Sequence, residues 1–500
     1  MSRIETVYPM VIEALSPIHI GTGRELSADV DYVVANHVYV IDLEWMLAHL
    51  NAEQLARAMG AEPLSRLLSA EDREEFARYI LERPASKASV PQLREQIKDL
   101  DSDPYIPGSS LKGAVRTALL WAMTFVEGLP SEQPRADQLE RELLTGTRRA
   151  SLPGSDPNFD LLRAFRPADS YSASAEDDLE LLQVGLYSLS GRPTELRRKP
   201  EEQFFVEAMA AGTQLQADVS LDEYLLRPEV ARRLGLDGKQ NWIRGWLTYC
   251  HAYGSAVIEH EVAFYSRFGP AALEEFYREL KKRAATAEAG REAVLPLAWG
   301  TGWHGKTIGT ALEEEEVDEI RTRYRLGRQG YPVFPKSRRL VERNGEPVSP
   351  LGWVFLRIAE ESIQPYVPPL SLEQARAYRQ AEQEARRVEP APEQPRDTGT
   401  PPSREPGTSP AGPRRRIEEL KAGMVLEGVV AGIAKFGVFV NVGIREDGLV
   451  HVSELSERRV ENIEQIVQKG QRVRVRVLGV DLEQRRIKLS MKGIDQQPTA

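Results

Sequence analysis

A chain of 500 residues, 41% hydrophobic and 28% charged, is too long for one typical domain and rich enough in apolar residues for buried cores, so fibrous and wholly disordered classes are excluded. Its formal net charge of −10 divides unevenly: residues 414–500 hold 16 Lys+Arg against 12 Asp+Glu, residues 1–413 hold 49 against 63, and a basic tail follows an acidic body. The most apolar run, Ala114 to Val126, contains Arg116 and falls short of the roughly 20 residues a bilayer span needs, while Cys250, the single cysteine, excludes an intramolecular disulfide.

The N-terminal stretch Met1-Ser2-Arg3-Ile4-Glu5 lacks the pattern of a secretory signal, so the expected location is cytoplasmic with no membrane contact. The first 370 residues mix two periods. Val7 to Ala14 and Val30 to Ile41 are β-type runs, and Leu43 to Ala58 and Ser69 to Leu81 have helical spacing, which together predict an α+β body. His19 stands in the run Leu15-Ser-Pro-Ile-His-Ile-Gly-Thr-Gly23, and Asp29 and Asp31 follow it.

Next comes Pro104-Tyr-Ile-Pro-Gly-Ser-Ser-Leu-Lys-Gly-Ala-Val-Arg-Thr117. Pro107-Gly108 predicts a turn, and Ser109 or Ser110 is placed to cap a helix whose Leu111, Val115 and Leu119 recur every four residues. Lys112 and Arg116 share another face near the helix start, so free amides, two hydroxyls and two cations suit a phosphate. A plain capped amphipathic helix with exposed bases explains the same residues.

Two further segments combine glycine and cations. Leu297-Ala-Trp-Gly-Thr-Gly-Trp-His-Gly-Lys-Thr307 offers close backbone approach at Gly300 and Gly302, with His304 and Lys306 beside them, and it does not fit the P-loop pattern. Phe334-Pro-Lys-Ser-Arg-Arg-Leu340 adds Lys336, Arg338 and Arg339 before a buried strand at Leu351 to Leu356. His304 and His19 are the two candidate general bases for RNA cleavage, though a histidine in such a loop more often donates to a phosphate or packs on an aromatic ring. No cofactor and no metal is expected, because the seven histidines are scattered without a ligand-like spacing.

Ser371-Leu-Glu-Gln374 is a capping box opening a polar helix over 371–387, expected to project into solvent. Residues 388–416 form a linker: eight prolines fall in the 24 residues from Pro390 to Pro413, with no apolar side chain larger than alanine, a composition that predicts disorder. Beyond it, Met424 to Ile433, Val438 to Val442, Gly448 to Val452, Val473 to Val480 and Arg486 to Ser490 predict five strands of a small OB-fold barrel over 417–493. Helical spacing appears only around Val460 to Gln468. Lys435, Phe436, Phe439 and His451 lie on or beside its second and third strands, and Arg472, Arg474 and Arg476 alternate onto one side of another, the aromatic-plus-cation chemistry of single-strand binders. One phenylalanine of the pair is equally a core residue, since residues three apart on a regular strand face opposite ways.

The tail motifs Gly437-Val-Phe-Val-Asn441, Gly448-Leu-Val-His-Val-Ser453 and Arg486-Ile-Lys-Leu-Ser-Met491 resemble the S-one RNA-binding domain. That resemblance implies a single-stranded RNA groove with Phe436 and Phe439 stacking and His451 and Arg474 as polar contacts. In the body, Ser16-Pro17-Ile18-His19-Ile20-Gly21, Ile106-Pro107-Gly108-Ser109-Ser110-Leu111-Lys112-Gly113, Gly300-Thr301-Gly302-Trp303 and Phe334-Pro335-Lys336 resemble the RAMP superfamily, and most closely its fifth Csm subunits of type III-A CRISPR effector complexes. The resemblance implies a ferredoxin-like, RRM-type body of two units divided near 150–180. It further implies a non-catalytic role that caps the 3′-end side of a CRISPR RNA and supports guide maturation, with the repeated backbone RAMP subunit, other type III subunits and host nucleases as partners. Two rivals stand beside it: a metal-independent endoribonuclease using His304 or His19, and a protein-docking platform of an RNA-processing complex.

Overall fold

The computed structural model describes residues 4–84, 89–129, 136–146, 157–191, 194–327, 333–360, 366–368 and 370–388, and, in the tail, 423–434, 437–442, 448–451, 454–455, 467, 471–481 and 486–492. The chain divides into two compact units, residues 1–391 and 392–500. The predicted linker and the helical spacing at 460–468, apart from Val467, lie outside the described residues.

Strand Glu5–Ala14 alternates as a half-buried strand should, with Tyr8, Met10, Ile12 and Ala14 inside. It sits centrally in a five-stranded antiparallel sheet ordered Glu292–Pro296, Trp353–Ile358, Glu5–Ala14, Gln214–Asp222, Phe165–Pro167. Helices Gly108–Glu127 and Trp246–Phe268 share a core with this sheet, in which Leu111, Val115, Leu119, Val257 and Ile258 meet Met10, Ile12, Val219 and Leu356. The predicted four-residue stripe of the first helix is therefore its buried face. The strands at 5–14, 165–167, 214–222 and 353–358, with the two helices as crossovers, make the ferredoxin-like order, and strand 292–296 extends one edge.

A six-stranded sheet follows the order Glu346–Ser349, Ser337–Arg343, Leu179–Ser190, Glu195–Met209, Gln92–Gln96, Gly21–Ser27. Both sheets draw strands from before and after residues 150–180, so the body does not divide there as the sequence predicts; residues 1–391 are one unit. A small sheet of Tyr32–Val34, Val38–Ile41 and Ala77–Leu81 carries its own core of Val33, Tyr39, Ile41, Met46, Leu64, Leu67, Leu68 and Phe76.

Two helical expectations are shortened. Leu43 to Ala58 is broken into Leu43–His49 and Ala52–Met59, because Asn51 starts a new capping box with Gln54. Ser69 to Leu81 is helical only over Ala70–Glu75, after which Tyr79 and Leu81 turn inward at strand spacing. The helix Leu372–Val388 opens on the predicted box: Ser371 N donates to Gln374 Oε1 at 2.9 Å and Gln374 N to Ser371 Oγ at 3.2 Å. Its start does not project into solvent, since Arg376 pairs with Glu313 at 2.9 Å and covers the Phe125 ring at 4.7 Å.

The tail is a closed barrel of Val425–Ala434, Gly437–Asn441, Gly448–His451, Arg486–Ser490 and Arg472–Asp481, the third and fourth of these paired in parallel. Val430, Val438, Val440, Val450, Val473, Val475, Val477 and Leu489 fill it. Five strands in this closure are the OB arrangement.

Candidate nucleic-acid interface

The glycine segments at the two ends of the body are brought together by the backbone. Trp299 N donates to the His19 carbonyl at 3.1 Å, Gly352 N to the Pro17 carbonyl at 2.8 Å, and Trp353 N to Ser16 Oγ at 2.9 Å. The rings of His19 and Trp299 meet edge-on at 5.5 Å. Gly300 and Gly302 have φ of 92° and 77°, the left-handed region that favours glycine, and nothing lies within 4 Å of where a Gly302 Cβ would stand. The loop therefore presents open backbone at Gly302 while Gly300 packs against Leu351.

His19 is buried, and its Nδ1 lies 2.6 Å from the Glu207 carbonyl. Burial above all lowers its pKa to about 4, helped by the nearby charges of Arg94 and Lys98 and opposed by that hydrogen bond. The fold thus holds His19 neutral, and the unfolded chain binds the extra proton between pH 6.5 and 4, so stability is complete above 6.5 and falls as pH drops toward 4. Burial lowers His260 and His304 as well, which adds to the same slope. Unfolding free energies from urea titrations at pH 7, 5.5 and 4.5 should fall by about 1.4 kcal/mol per pH unit less in His19→Gln than in the parent across this window. An unchanged slope would remove His19 from the account.

His304 is buried too, its ring tilted at 51° against that of His260 with 3.9 Å between centroids and edge-on to Trp303 at 5.1 Å, while its carbonyl accepts from Tyr253 Oη at 2.7 Å. Among the described residues no three His, Cys, Asp or Glu side chains are grouped to hold a metal ion.

The helix start at Gly108 differs from expectation. Neither serine caps it: the N-cap is Pro107 without a side-chain bond, and Gly108 N donates instead to Asp169 Oδ1 at 2.7 Å. A Cβ at Gly108 would stand 2.3 Å from the Pro167 carbonyl, so glycine is required where the helix start crosses the strand Phe165–Pro167. Arg116 does not face outward to a phosphate. It donates to Asp160 Oδ2 at 2.9 and 2.8 Å and to Glu140 at 3.2 Å, tying the helix to its neighbours. Ser109 is exposed, Ser110 and Lys112 are half-buried, and burial lowers the Lys112 pKa against the pull of Asp160.

The Arg338-Arg339 pair is split by strand geometry, because successive side chains of Ser337–Arg343 face opposite ways. Arg338 turns inward, donates to both carboxylate oxygens of Glu261 at 2.7 and 2.8 Å and covers Phe264 at 4.0 Å, which corrects its assignment to RNA contact. Arg339 turns the other way and lies 5.3 Å from the Trp299 ring. Lys306 is nearby, its pKa lowered by burial and then by the Arg339 charge. Lys336 is half-buried, and its carbonyl accepts from Leu189 N at 3.0 Å.

Two residues that sequence reasoning passed over complete this face. Arg94, on strand Gln92–Gln96, sits 4.5 Å over the Phe204 ring and 5.3 Å over Trp299, and it pairs with Glu25 at 3.3 Å. Phe204 meets Trp299 edge-on at 5.9 Å. Nothing local in Arg94 or Phe204 signals this, since their contact is made by strands far apart in the chain.

In the barrel, Arg472, Arg474 and Arg476 are all exposed while Val473, Val475 and Val477 are buried, the alternation expected. Lys435 and Phe436 lie outside the described residues; Phe439 and His451 stand on the strands Gly437–Asn441 and Gly448–His451.

Residues 11–249 match the RAMP superfamily, and residues 419–492 match the S1 RNA binding domain. The chain joins a RAMP superfamily domain to an S1 RNA binding domain. The body has the fold of a chain in the cryo-EM structure of a Csm-crRNA-target RNA ternary complex of a type III-A CRISPR-Cas system: 24% identity, 70% of this chain, 100% of that chain, TM-score 0.53. A crystal structure of T. onnurineus Csm5 aligns at 22% identity over 69% of this chain and 99% of that one, with TM-score 0.45. Protein YhgF of Escherichia coli is 46% identical over 82 residues, 16% of this chain and only 10% of that protein. RAMP and S-one domains in one chain leave the glycine loop at 297–307 outside either match.

Proposed function

We propose that this chain is the CRISPR RNA-binding subunit of a type III-A interference complex. It caps the 3′-end side of the guide, supports its maturation and carries a tethered single-stranded RNA module. The observation that carries this reading is the presence in one chain of a RAMP domain and an RNA binding domain, each on its own compact unit. The solved chain whose fold the body shares comes from a Csm-crRNA-target RNA complex, which favours CRISPR RNA and other Csm subunits, above all the repeated backbone subunit, as partners, with host nucleases recruited for trimming.

A non-catalytic role fits the two histidines best. His19 is held neutral with Nδ1 engaged, and His304 is buried against His260, so neither is presented to a phosphodiester as a general base. Among the described residues no helix is long and apolar enough to cross a membrane, which fits a cytoplasmic ribonucleoprotein. Ser109, Ser110, Lys112, Gly300, Gly302, Lys306, Lys336 and Arg339 remain the body's RNA candidates, with Phe439, His451 and Arg474 in the barrel.

The test is recovery of RNA with the tagged full chain, and with a version ending at Pro390, from the native host. Spacer RNAs with trimmed 3′ ends, co-purifying with other type III subunits, are the expected result for both versions, with additional RNA on the full chain. Absence of spacer RNA from both would overturn the reading.

A further inference from the structure

Arg94 and Arg339 approach one indole ring, Trp299, each at 5.3 Å, and Arg94 also lies 4.5 Å over Phe204. Two guanidiniums on one ring, with the Lys306 ammonium close enough to feel Arg339, form a like-charge cluster that favours an anion. Burial is the main reason that the Arg339 pKa is lowered, with Arg94 adding to it and Glu202 opposing. Arg339 Nε is shielded from solvent and has no hydrogen-bond partner among the described residues. Arg94 pairs with Glu25 at 3.3 Å, so the three cations Arg94, Arg339 and Lys306 stand against the two carboxylates Glu25 and Glu202. Beside it runs a groove of about 310 Å³ whose lining includes Gln92, Leu93, Arg94, Gln203 and Phe204.

We propose that Arg94, Phe204, Trp299 and Arg339 form a nucleotide site for single-stranded RNA, in which one base stacks in the groove against the Arg94–Phe204 layer and its phosphate is held by Arg339 and Lys306. The site deepens the RNA-binding reading above and rests on it. Alternating flat guanidinium and aromatic groups match an unpaired base, whose faces are free, rather than a duplex, whose bases are already stacked. Stacking on these groups tolerates any base, so the site reads the chain of the RNA and not its sequence. A phosphate at the Arg339 guanidinium relieves the repulsion between the cations. The position on the 92–96 and 195–209 strands, beside the open backbone of Gly302, is separate from the helix start at Gly108, where Asp169 and Asp160 already occupy the amide and Arg116.

The experiment uses the full chain and a 15-nucleotide oligouridine bearing 4-thiouridine, cross-linked by light and mapped by mass spectrometry. Cross-links at Phe204 or Trp299 are expected. Arg94→Glu with Arg339→Glu should reduce them at least about tenfold while cross-links in the barrel persist, and Phe204→Leu, which keeps an apolar side chain, should reduce them at least about fivefold. Thermal melts of each variant check that the body stays folded. Body cross-links confined to other residues and unchanged by these variants would overturn the site while leaving the RNA-binding reading intact. Complete absence of body cross-links, together with absence of spacer RNA on the protein from its host, would instead overturn both. Displacement of RNA by an oligoglutamate peptide that itself cross-links at Trp299 would assign the cluster to an acidic protein and also overturn it.

Discussion

Glu207→Ala is expected to destabilise the body by about 3–5 kcal/mol, because it removes the carboxylate that lies 2.5 Å from the ammonium of Lys98, a buried lysine side chain. Glu207 is fully buried and accepts from Tyr79 Oη at 2.7 Å, Gln96 N at 2.9 Å and Lys98 Nζ at 2.5 Å, so one carboxylate joins the small inserted sheet to strand Gln92–Gln96. Its backbone carbonyl lies against His19 Nδ1, which ties the same residue to the first glycine segment. Lys98 also covers the Tyr79 ring at 4.6 Å, and its side chain is only 6% exposed, so the ammonium left behind has little access to water. Lys98→Met alone should cost less than Glu207→Ala, and combining Lys98→Met with Glu207→Leu should recover most of the loss, since an apolar pair of similar volume avoids desolvating two charges. Urea unfolding of the four proteins reads this out. Independent, additive losses would show that the two groups are not coupled.

The parts of this molecule that the sequence reveals are those whose cause is local. The five barrel strands follow from period-two alternation, and each observed strand begins and ends within a few residues of its expected place; Val473, Val475 and Val477 against Arg472, Arg474 and Arg476 is that alternation made visible. The Leu111, Val115, Leu119 stripe and the Ser371–Gln374 capping box are equally short-range. The failures are contacts between distant segments. Lys112 and Arg116 satisfy the local pattern of a phosphate site, but Asp160, 44 residues on, takes Arg116, and Asp169 takes the helix amide. Arg94, Phe204, Trp299 and Arg339 come from four separate segments, so no window of sequence contains the cluster. Residues 69–81 fail for another reason: a capping box at Ser69 starts a true helix, and nothing in its spacing announces that the chain changes to a strand at Ala77.

Arg338 and Arg339 are adjacent, carry the same charge and should behave oppositely. Arg338→Met is expected to lower stability by about 3–5 kcal/mol, because Glu261, 5% exposed, would be left without the two hydrogen bonds that Arg338 now donates. The helix Trp246–Phe268 carries Glu261, so the ion pair fastens that helix to strand Ser337–Arg343, and the neighbouring Phe264 face loses its guanidinium cover as well. Adding Glu261→Leu to Arg338→Met should restore part of the loss by removing the orphaned carboxylate. Arg339→Gln, in contrast, should change stability by no more than about 0.5 kcal/mol, because its half-buried side chain lies over Trp299 and makes no short ion pair among the described residues. Affinity for single-stranded RNA should reverse the ranking: Arg339→Gln weakens it in a fully folded protein, and Arg338→Met weakens it only where the body has begun to melt. Urea midpoints and fluorescence anisotropy with an oligouridine, both at a temperature below every melting midpoint, separate the two effects. An Arg338→Met protein that is fully folded yet has lost RNA would return that arginine to the interface, and the alternation of the strand requires the other outcome.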